Sequence, residues 1–515
     1  MRTTNSIRNI VFGLGSQFTS IIISFITRTV FIYSLGGNYL GVEGLFTNVL
    51  SLLSLANLGF DTAIIYSLYK PLSNNNKSEI KGYMEFYSKV YKIIGIAVLC
   101  IGLLLIPFLP HLINGEVDIK ENITLIYIMF LLSSVASYFY VYKQSILQAN
   151  QQSYIISKVH TVFIIVSNIV QIIIIVLFKQ YLALLVIQLI LRLIENIYIS
   201  RVTDKKFPFL NDKNIKAELT EEKKSKLYKD VYSMFLYKIS GTIINSTDNL
   251  VISSFIGILA VGVYSNYLLI VSTLNTLLSY IFSSLTASVG NLVASNEEEK
   301  AEFIFYEIFF LSFWFYGLSS ICLYVLFNDF IMIWLGNDYL LDMFTVSIIV
   351  INFYTSGMQN ASTTYRNTTG LFSVGKYRPI IAAIINIGAS ILLVPRLGIA
   401  GVLLGTVISR ISVYFWFDPY VIHKYTFKSN TKKYFCKYIY YTTIFIGITI
   451  ITNSLTNLIY FNNIYTNFML KILICVTVPN LIIILIFNKN KYYIYILNLY
   501  KSLSNIKQNS RECKV

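Results

Sequence analysis

The chain has 515 residues, of which 55% are hydrophobic and only 13% charged, a balance that excludes a soluble globular or a disordered class. Its 41 Lys and Arg against 25 Asp and Glu give a formal charge of +16. The cations gather in loops between apolar runs, so the charge reads as a membrane-topology signal and not as nucleic-acid binding.

A hydrocarbon core of about 30 Å needs roughly 20 helical residues, and fourteen apolar stretches meet that length. In chain order they fall near 10–34, 40–68, 92–112, 123–142, 154–177, 181–200, 230–256, 261–292, 304–327, 341–363, 378–395, 398–417, 436–458 and 468–488. Arg2 and Arg8 ahead of the first run resemble a signal peptide, but the run is too long and has no small-residue cleavage site, so it reads as the first span. With the N-terminus inside, the cytoplasmic segments collect about 33 of the Lys and Arg and the external ones about 4. Lys70, Lys77, Lys81 and Lys89 follow the second span, Lys205 to Lys229 the sixth, and Lys424 to Lys437 the twelfth. External loops are short or acidic, as at Glu116, Asp118, Glu121, Asp329 and Asp338. Fourteen crossings return the C-terminus to the cytoplasm, where Tyr492, Tyr493, Tyr495 and Tyr500 with Lys491 and Lys501 lie along the inner interface. Cys100, Cys322 and Cys475 are within spans and Cys436 and Cys513 are cytoplasmic, so no external pair is available for a disulfide and none has metal-site spacing. Abundant Ile, Asn, Lys and Tyr suit an AT-rich bacterial genome, and hence a bacterial cytoplasmic membrane.

The turn Leu35-Gly-Gly-Asn-Tyr-Leu-Gly-Val42 between spans one and two has a counterpart in Ile256-Gly-Ile-Leu-Ala-Val-Gly-Val263 between spans seven and eight. Gly36 and Gly257, like Gly41 and Gly262, differ by 221 positions. Both first spans start inside, so the repeat is parallel and predicts two pseudo-symmetric six-helix lobes related by an axis along the membrane normal. The expected organisation is an N-lobe (1–200), a basic cytoplasmic linker (201–229), a C-lobe (230–420), two extra C-terminal spans (421–490) and a cytoplasmic tail (491–515).

Polar residues three or four apart share a helical face. Gln17, Ser20, Ser24 and Arg28 form such a stripe on span one, Thr47, Ser51, Ser54 and Asp61 on span two, and Lys238, Thr242, Asn245 and Asp248 on span seven. Span eight carries Ser272, Thr276, Ser279, Ser283 and Thr286. Small hydroxyls commonly bond their own helix carbonyls and permit close packing, which accounts for any single Ser or Thr. An ionised group near the bilayer centre costs roughly 3 kcal/mol, so Arg28, Asp61, Lys238 and Asp248 should face one another or water, and the four helices look like walls of a hydrated cavity. Arg28 lies about 9 Å from the outer end of its span, so ligand contact and snorkelling to the headgroups are both open readings. The acids could serve ion pairing or ion coupling, and Lys238 could reach the cytoplasmic face. Arg192 and Glu195, three apart, read as a structural pair. No nucleophile with its base and no phosphate-cradling loop is recognisable.

In the runs Arg28-Thr-Val-Phe-Ile-Tyr-Ser-Leu-Gly36, Leu40-Gly-Val-Glu-Gly-Leu-Phe-Thr-Asn48, Arg366-Asn-Thr-Thr-Gly-Leu-Phe372, Lys376-Tyr-Arg-Pro379 and Gly398-Ile-Ala-Gly-Val402 with Gly405-Thr406, the chain resembles the oligosaccharide flippase family. That family belongs to the multidrug/oligosaccharidyl-lipid/polysaccharide (MOP) exporter superfamily. The resemblance implies an all-α, MATE-like polytopic fold whose spans one, two, seven and eight line a cavity. It also implies alternating access that carries an undecaprenyl-diphosphate-linked glycan outward without catalysis. The family's cavity cations meet the anionic headgroup, a role that carries over to Arg28 and, more weakly, to Arg366 and Arg378. Two departures stand out: the family pattern places an acid near Ala382, and small or amide residues at Glu43 and Asp61.

The implied partners are the lipid-linked glycan, membrane lipids, and glycosyltransferases and a polymerase of the same pathway. No cofactor is implied beyond a coupling Na⁺ or H⁺. A drug or metabolite antiporter of the superfamily is the nearest rival, although it would have twelve spans and an acidic cavity. A membrane enzyme of glycan assembly would need a large external loop bearing acids, and none here exceeds roughly 15 residues. A transport-inactive scaffold is the remaining class.

Overall fold

The computed structural model describes residues 2–54, 60–113, 119–294, 298–369, 371, 374–375, 377–458, 461 and 463–498. Many side chains within 2–11, 60–66, 226–245 and 283–294 lie outside the description, among them those of Asp61, Lys238, Thr242, Asn245, Ser283 and Thr286. Glu116, Asp118, Tyr500, Lys501 and Cys513 are outside it as well.

The described residues form helices and short turns, with no strand among them. Contacts divide the chain into two units, residues 1–265 with 394–399, and residues 266–393 with 400–515. Helices α1 (Arg2–Leu35), α2 (Gly37–Leu53), α3 (Phe60–Ser73), α4 (Lys77–Leu104), α5 (Leu109–Leu112), α6 (Ile123–Ala149), α7 (Ser153–Phe178), α8 (Tyr181–Lys206) and α9 (Glu221–Phe255) belong to the first unit. The boundary falls inside α10 (Ile258–Ala294). The second unit holds α11 (Glu298–Leu335), α12 (Met343–Gly357), α13 (Asn360–Thr369), most of α14 (Arg378–Leu397) and α15 (Ile399–Ser409), then α16 (Phe415–Ile422), α17 (Lys432–Asn457) and α18 (Ile464–Phe487).

Eleven of the described helices are long and apolar enough to cross a membrane. The second, seventh and tenth expected spans are not among them. The second falls on α2, of 17 residues, and α3, of 14, with residues 55–59 between them outside the description, and α12 in the tenth has only 15. Most side chains of the seventh, on α9, lie outside the description.

Helix starts follow the sequence. Asn76, Asn122, Asp342 and Asn463 accept hydrogen bonds from backbone N–H groups of α4, α6, α12 and α18 at 3.1, 2.8, 2.9 and 2.9 Å, satisfying donors that a helix end leaves open. In the first unit α1 lies along α7, α6 packs between α4 and α8, and α2 crosses α9. The basic segment after α8 does not hang free of the helices. Buried Lys81 of α4 donates to the carbonyls of Asp212 and Ile215 at 2.6 and 3.0 Å, and Glu218 N–H bonds the Ser78 carbonyl.

The second unit is built around α11, which touches α12, α13, α17 and α18. Lipid is as apolar as Leu, so helices there are held by close packing and not by expulsion of water. Rings supply that packing: Phe309 lies 4.8 Å from Tyr434, Phe313 stacks 4.8 Å from Tyr441, and Phe487 of α18 closes on Phe310 at 5.0 Å. Such pairs contribute about 0.5–1.5 kcal/mol each beyond the area they cover. Outside, both units present large apolar side chains, with Leu104, Leu392 and Leu458 more than two-thirds exposed at 71%, 77% and 81%. A surface of this kind is stable against acyl chains and not against water.

Candidate functional site

The two repeated turns meet within the first unit. Gly36 and Gly257 hold φ of 90° and 126°, a region that side chains beyond glycine rarely enter. Five residues on, a methyl group on Gly41 would strike the Ile258 carbonyl, and one on Gly262 would strike the Gly37 carbonyl. Residues 37 and 258 stand at the same offset of 221 as 41 and 262, so the crossing is reciprocal. The repeat seen in sequence is therefore also a contact, made by bare backbone.

Arg28 sits beside this crossing. Its guanidinium Nη2 donates to Ser265 Oγ at 2.5 Å, and Ser265 Oγ–H in turn donates to the Gly262 carbonyl at 2.8 Å. Glu43 of α2 lies within electrostatic reach of Arg28. The neighbouring Thr27 bonds Asn168 of α7 at 2.6 Å, which fixes the rotation of α1. Close by, Tyr39 O–H donates to Glu121 at 2.5 Å, and the Tyr181 ring meets Phe31 and Tyr39 edge-on at 5.8 and 5.0 Å. The offset of 221 maps Arg28 onto buried Asn249, Glu43 onto Tyr264 and Gly44 onto Ser265. One arm of the local two-fold thus carries a cation and a carboxylate where the other carries an amide and a phenol. Half-buried Asp248 acts electrostatically on Tyr264.

The remaining expected residues fall into three groups. Gln17 is half-buried and Ser24 exposed on α1, so the stripe leading to Arg28 is open on its outer part. On α10, Ser272, Thr276 and Ser279 return their hydroxyls to the carbonyls of Leu269, Ser272 and Thr276 at 3.0, 2.8 and 2.8 Å, and their side chains stay at the surface. Asp61, Asn245 and Ser283 lie outside the described side chains. Arg366 and Arg378 are in the second unit, both buried, at 2% and 8% exposure, and both pair with Asp418, Arg366 at 2.9 Å. Arg366 also donates to the Val374 carbonyl, and Arg378 lies 4.9 Å over the Tyr414 ring. A guanidinium held in this way closes the 366–378 connection onto α16. The resemblance implied a weaker headgroup role for these two cations, whose guanidiniums here pair with Asp418.

Asp418 went unnoticed in sequence, although an acid beside Pro419 at the end of an apolar run is costly without a cation and so is itself a signal. It gives Arg378 an acidic partner, as the family pattern would with an acid near Ala382. Glu195 likewise differs from expectation: its partner is His160 of α7, Nδ1 to Oε1 at 2.7 Å, and not Arg192. This pair borders a cavity of about 550 Å³ among α6, α7 and α8, lined by Ser137, His160, Asn168, Gln188, Arg192 and Glu195. Polar groups lining a void within spanning helices imply water there. No group of three or more metal-ligating side chains occurs among the described residues.

Apolar outer faces and eleven spanning-length helices among the described residues define a multi-pass membrane protein with a glycine-crossed internal repeat. No protein-family model and no curated protein matches the sequence. Solved structures do match. Lipid II flippase MurJ, in an inward closed conformation, is 16% identical with a TM-score of 0.64 over 93% of this chain and 99% of that one. An inward-facing multidrug resistance MATE family transporter of the MOP superfamily is 14% identical, with a TM-score of 0.61 over 77% and 93% of the two chains. A point mutant of the Vibrio cholerae MATE transporter VcmN is 15% identical, with a TM-score of 0.58 over 84% and 99%. The chain shares the fold of these structures.

Proposed function

We propose that the protein is a flippase that moves an undecaprenyl-diphosphate-linked oligosaccharide from the cytoplasmic to the outer leaflet by alternating access, for cell-surface polysaccharide synthesis. In this reading it lies in the bacterial cytoplasmic membrane with both termini and the 201–229 segment inside, and works beside glycosyltransferases and a polymerase. One observation carries it: Arg28, a cation within a spanning helix, is positioned by Ser265 at the crossing of the two repeated turns. A diphosphate must cross a region of low dielectric constant, and a guanidinium offers a planar fork of donors that keeps its proton there. Exposed Ser24, one helical turn from Arg28, offers its hydroxyl to the sugars, and the polyprenyl tail stays in lipid.

A second reading, an ion-coupled drug or metabolite antiporter, is favoured by the polar cavity in the first unit with Glu195 on its wall. Proteoliposomes loaded with a fluorescent polyprenyl-diphosphate sugar, and in parallel with an organic cation, separate the two. The flippase reading expects the lipid-linked sugar to change leaflets and the cation to stay; cation movement without lipid movement would overturn it.

A further inference from the structure

Three lysines of the second unit converge on two tyrosine rings. Lys433 and Lys437, in the first turns of α17, lie 4.6 and 4.9 Å over Tyr306 of α11. Lys437 and Lys491 lie 4.3 and 5.2 Å over Tyr492, and Lys491 is 5.3 Å over Phe303. Tyr306 and Tyr492 are themselves buried and adjacent, their centroids 6.2 Å apart, so the ammonium groups are gathered on a fixed aromatic base. Among the described residues the carboxylate bonded to the group is Glu302, 2.6 Å from Lys433. The cluster therefore keeps an excess of two positive charges, and Lys437 is half-buried between its like-charged neighbours.

Cation–π contact holds each ammonium in place but cancels none of its charge. A bound anion relieves the mutual repulsion that remains. The cluster lies where α17 begins its membrane-length run, among Tyr492, Tyr493 and Trp314, ring types that settle at headgroup depth. We infer that Lys433, Lys437 and Lys491, gathered on Tyr306 and Tyr492, bind the phosphate of an anionic membrane phospholipid. The lipid would tie the 491–498 helical stretch to α11 and α17. Free phosphate has the same charge chemistry, but it lacks the acyl chains that would cover the exposed Ile439 and Leu485. The inference rests on membrane insertion and is independent of which substrate is transported.

The full chain, purified in detergent, can be titrated with phosphatidylglycerol, phosphatidylcholine and inorganic phosphate, reading bound lipid by native mass spectrometry and unfolding temperature. Phosphatidylglycerol should be retained and raise the unfolding temperature, while the other two do neither. Lys437→Gln with Lys491→Gln should weaken phosphatidylglycerol retention by about thirtyfold, roughly fivefold for each cation removed at a membrane surface. Lys424→Gln, which removes a lysine of the helical turn 423–427 before α17, should leave it intact. Should the double Gln variant fold poorly in phosphatidylcholine, Lys437→Arg with Lys491→Arg takes its place and should bind as the parent does. Equal retention in the double Gln variant, loss in the Arg variant, equal loss in Lys424→Gln, or an equal shift with inorganic phosphate overturns the site.

Discussion

Gly41 and Gly262 occupy equivalent places in two repeated turns, and each lies against the backbone carbonyl of the other's turn. Arg28 reaches its hydroxyl partner one helical turn beyond Gly262, at Ser265. The backbone crossing and the position of the cation are therefore coupled: any widening of the turns moves Ser265 away from the guanidinium.

Gly41→Ala and Gly262→Ala should each destabilise the protein by about 1–3 kcal/mol, the usual cost of forcing a methyl group into a filled space. Thermal unfolding in detergent gives the comparison. Gly447→Ala, at a glycine of α17 with nothing within 4 Å, should be neutral or slightly stabilising because alanine favours helix.

Removing the carboxylate that joins Arg366 and Arg378 leaves two buried guanidiniums without that anion. Asp418→Ala should cost about 3–5 kcal/mol and lower the yield of folded protein. Transport per folded molecule should change far less than yield, since these residues hold the connection to α16. A normal yield with lost transport would restore them to the substrate path.

Orientation is tested by thiol labelling in a cysteine-free background. Single cysteines at Asn74 and Lys213 should resist an impermeant reagent in intact cells, whereas one at Lys120 should react, because the Lys and Arg bias puts the first two inside. The reverse pattern would invert the proposed topology.

On α10 the surface stripe makes a local forecast. Cysteines at Ser272, Thr276 and Ser279 should be modified by small hydrophilic reagents, while one at Leu278, 8% exposed, stays protected. Uniform protection would mean that the stripe meets lipid or protein and not water.

Much of the helical architecture was legible because bilayer thickness imposes one length on every span. The Gly36 and Gly257 turns were legible for a similar reason: a left-handed backbone and a close crossing both demand glycine, and the demand leaves an identical spacing in sequence. Pairings across long separations were not legible. Nothing within either sequence neighbourhood joins Arg366 to Asp418 or His160 to Glu195, and i to i+3 spacing pointed Glu195 to Arg192 instead. Spacing alone does not say that Ser272, Thr276 and Ser279 spend their protons on their own helix.

The central claim is that Arg28 holds the diphosphate of a lipid-linked glycan, and leaflet exchange of a fluorescent polyprenyl-diphosphate sugar in proteoliposomes tests it most directly. Arg28→Ala should abolish exchange while the protein still inserts and unfolds at its usual temperature. Arg28→Lys keeps the charge but loses the fork, so it should recover activity only in part, and Arg28→Glu should be no better than Ala. Exchange at the wild-type rate in Arg28→Ala would contradict the claim and make the residue an interfacial anchor that snorkels toward the outer headgroups.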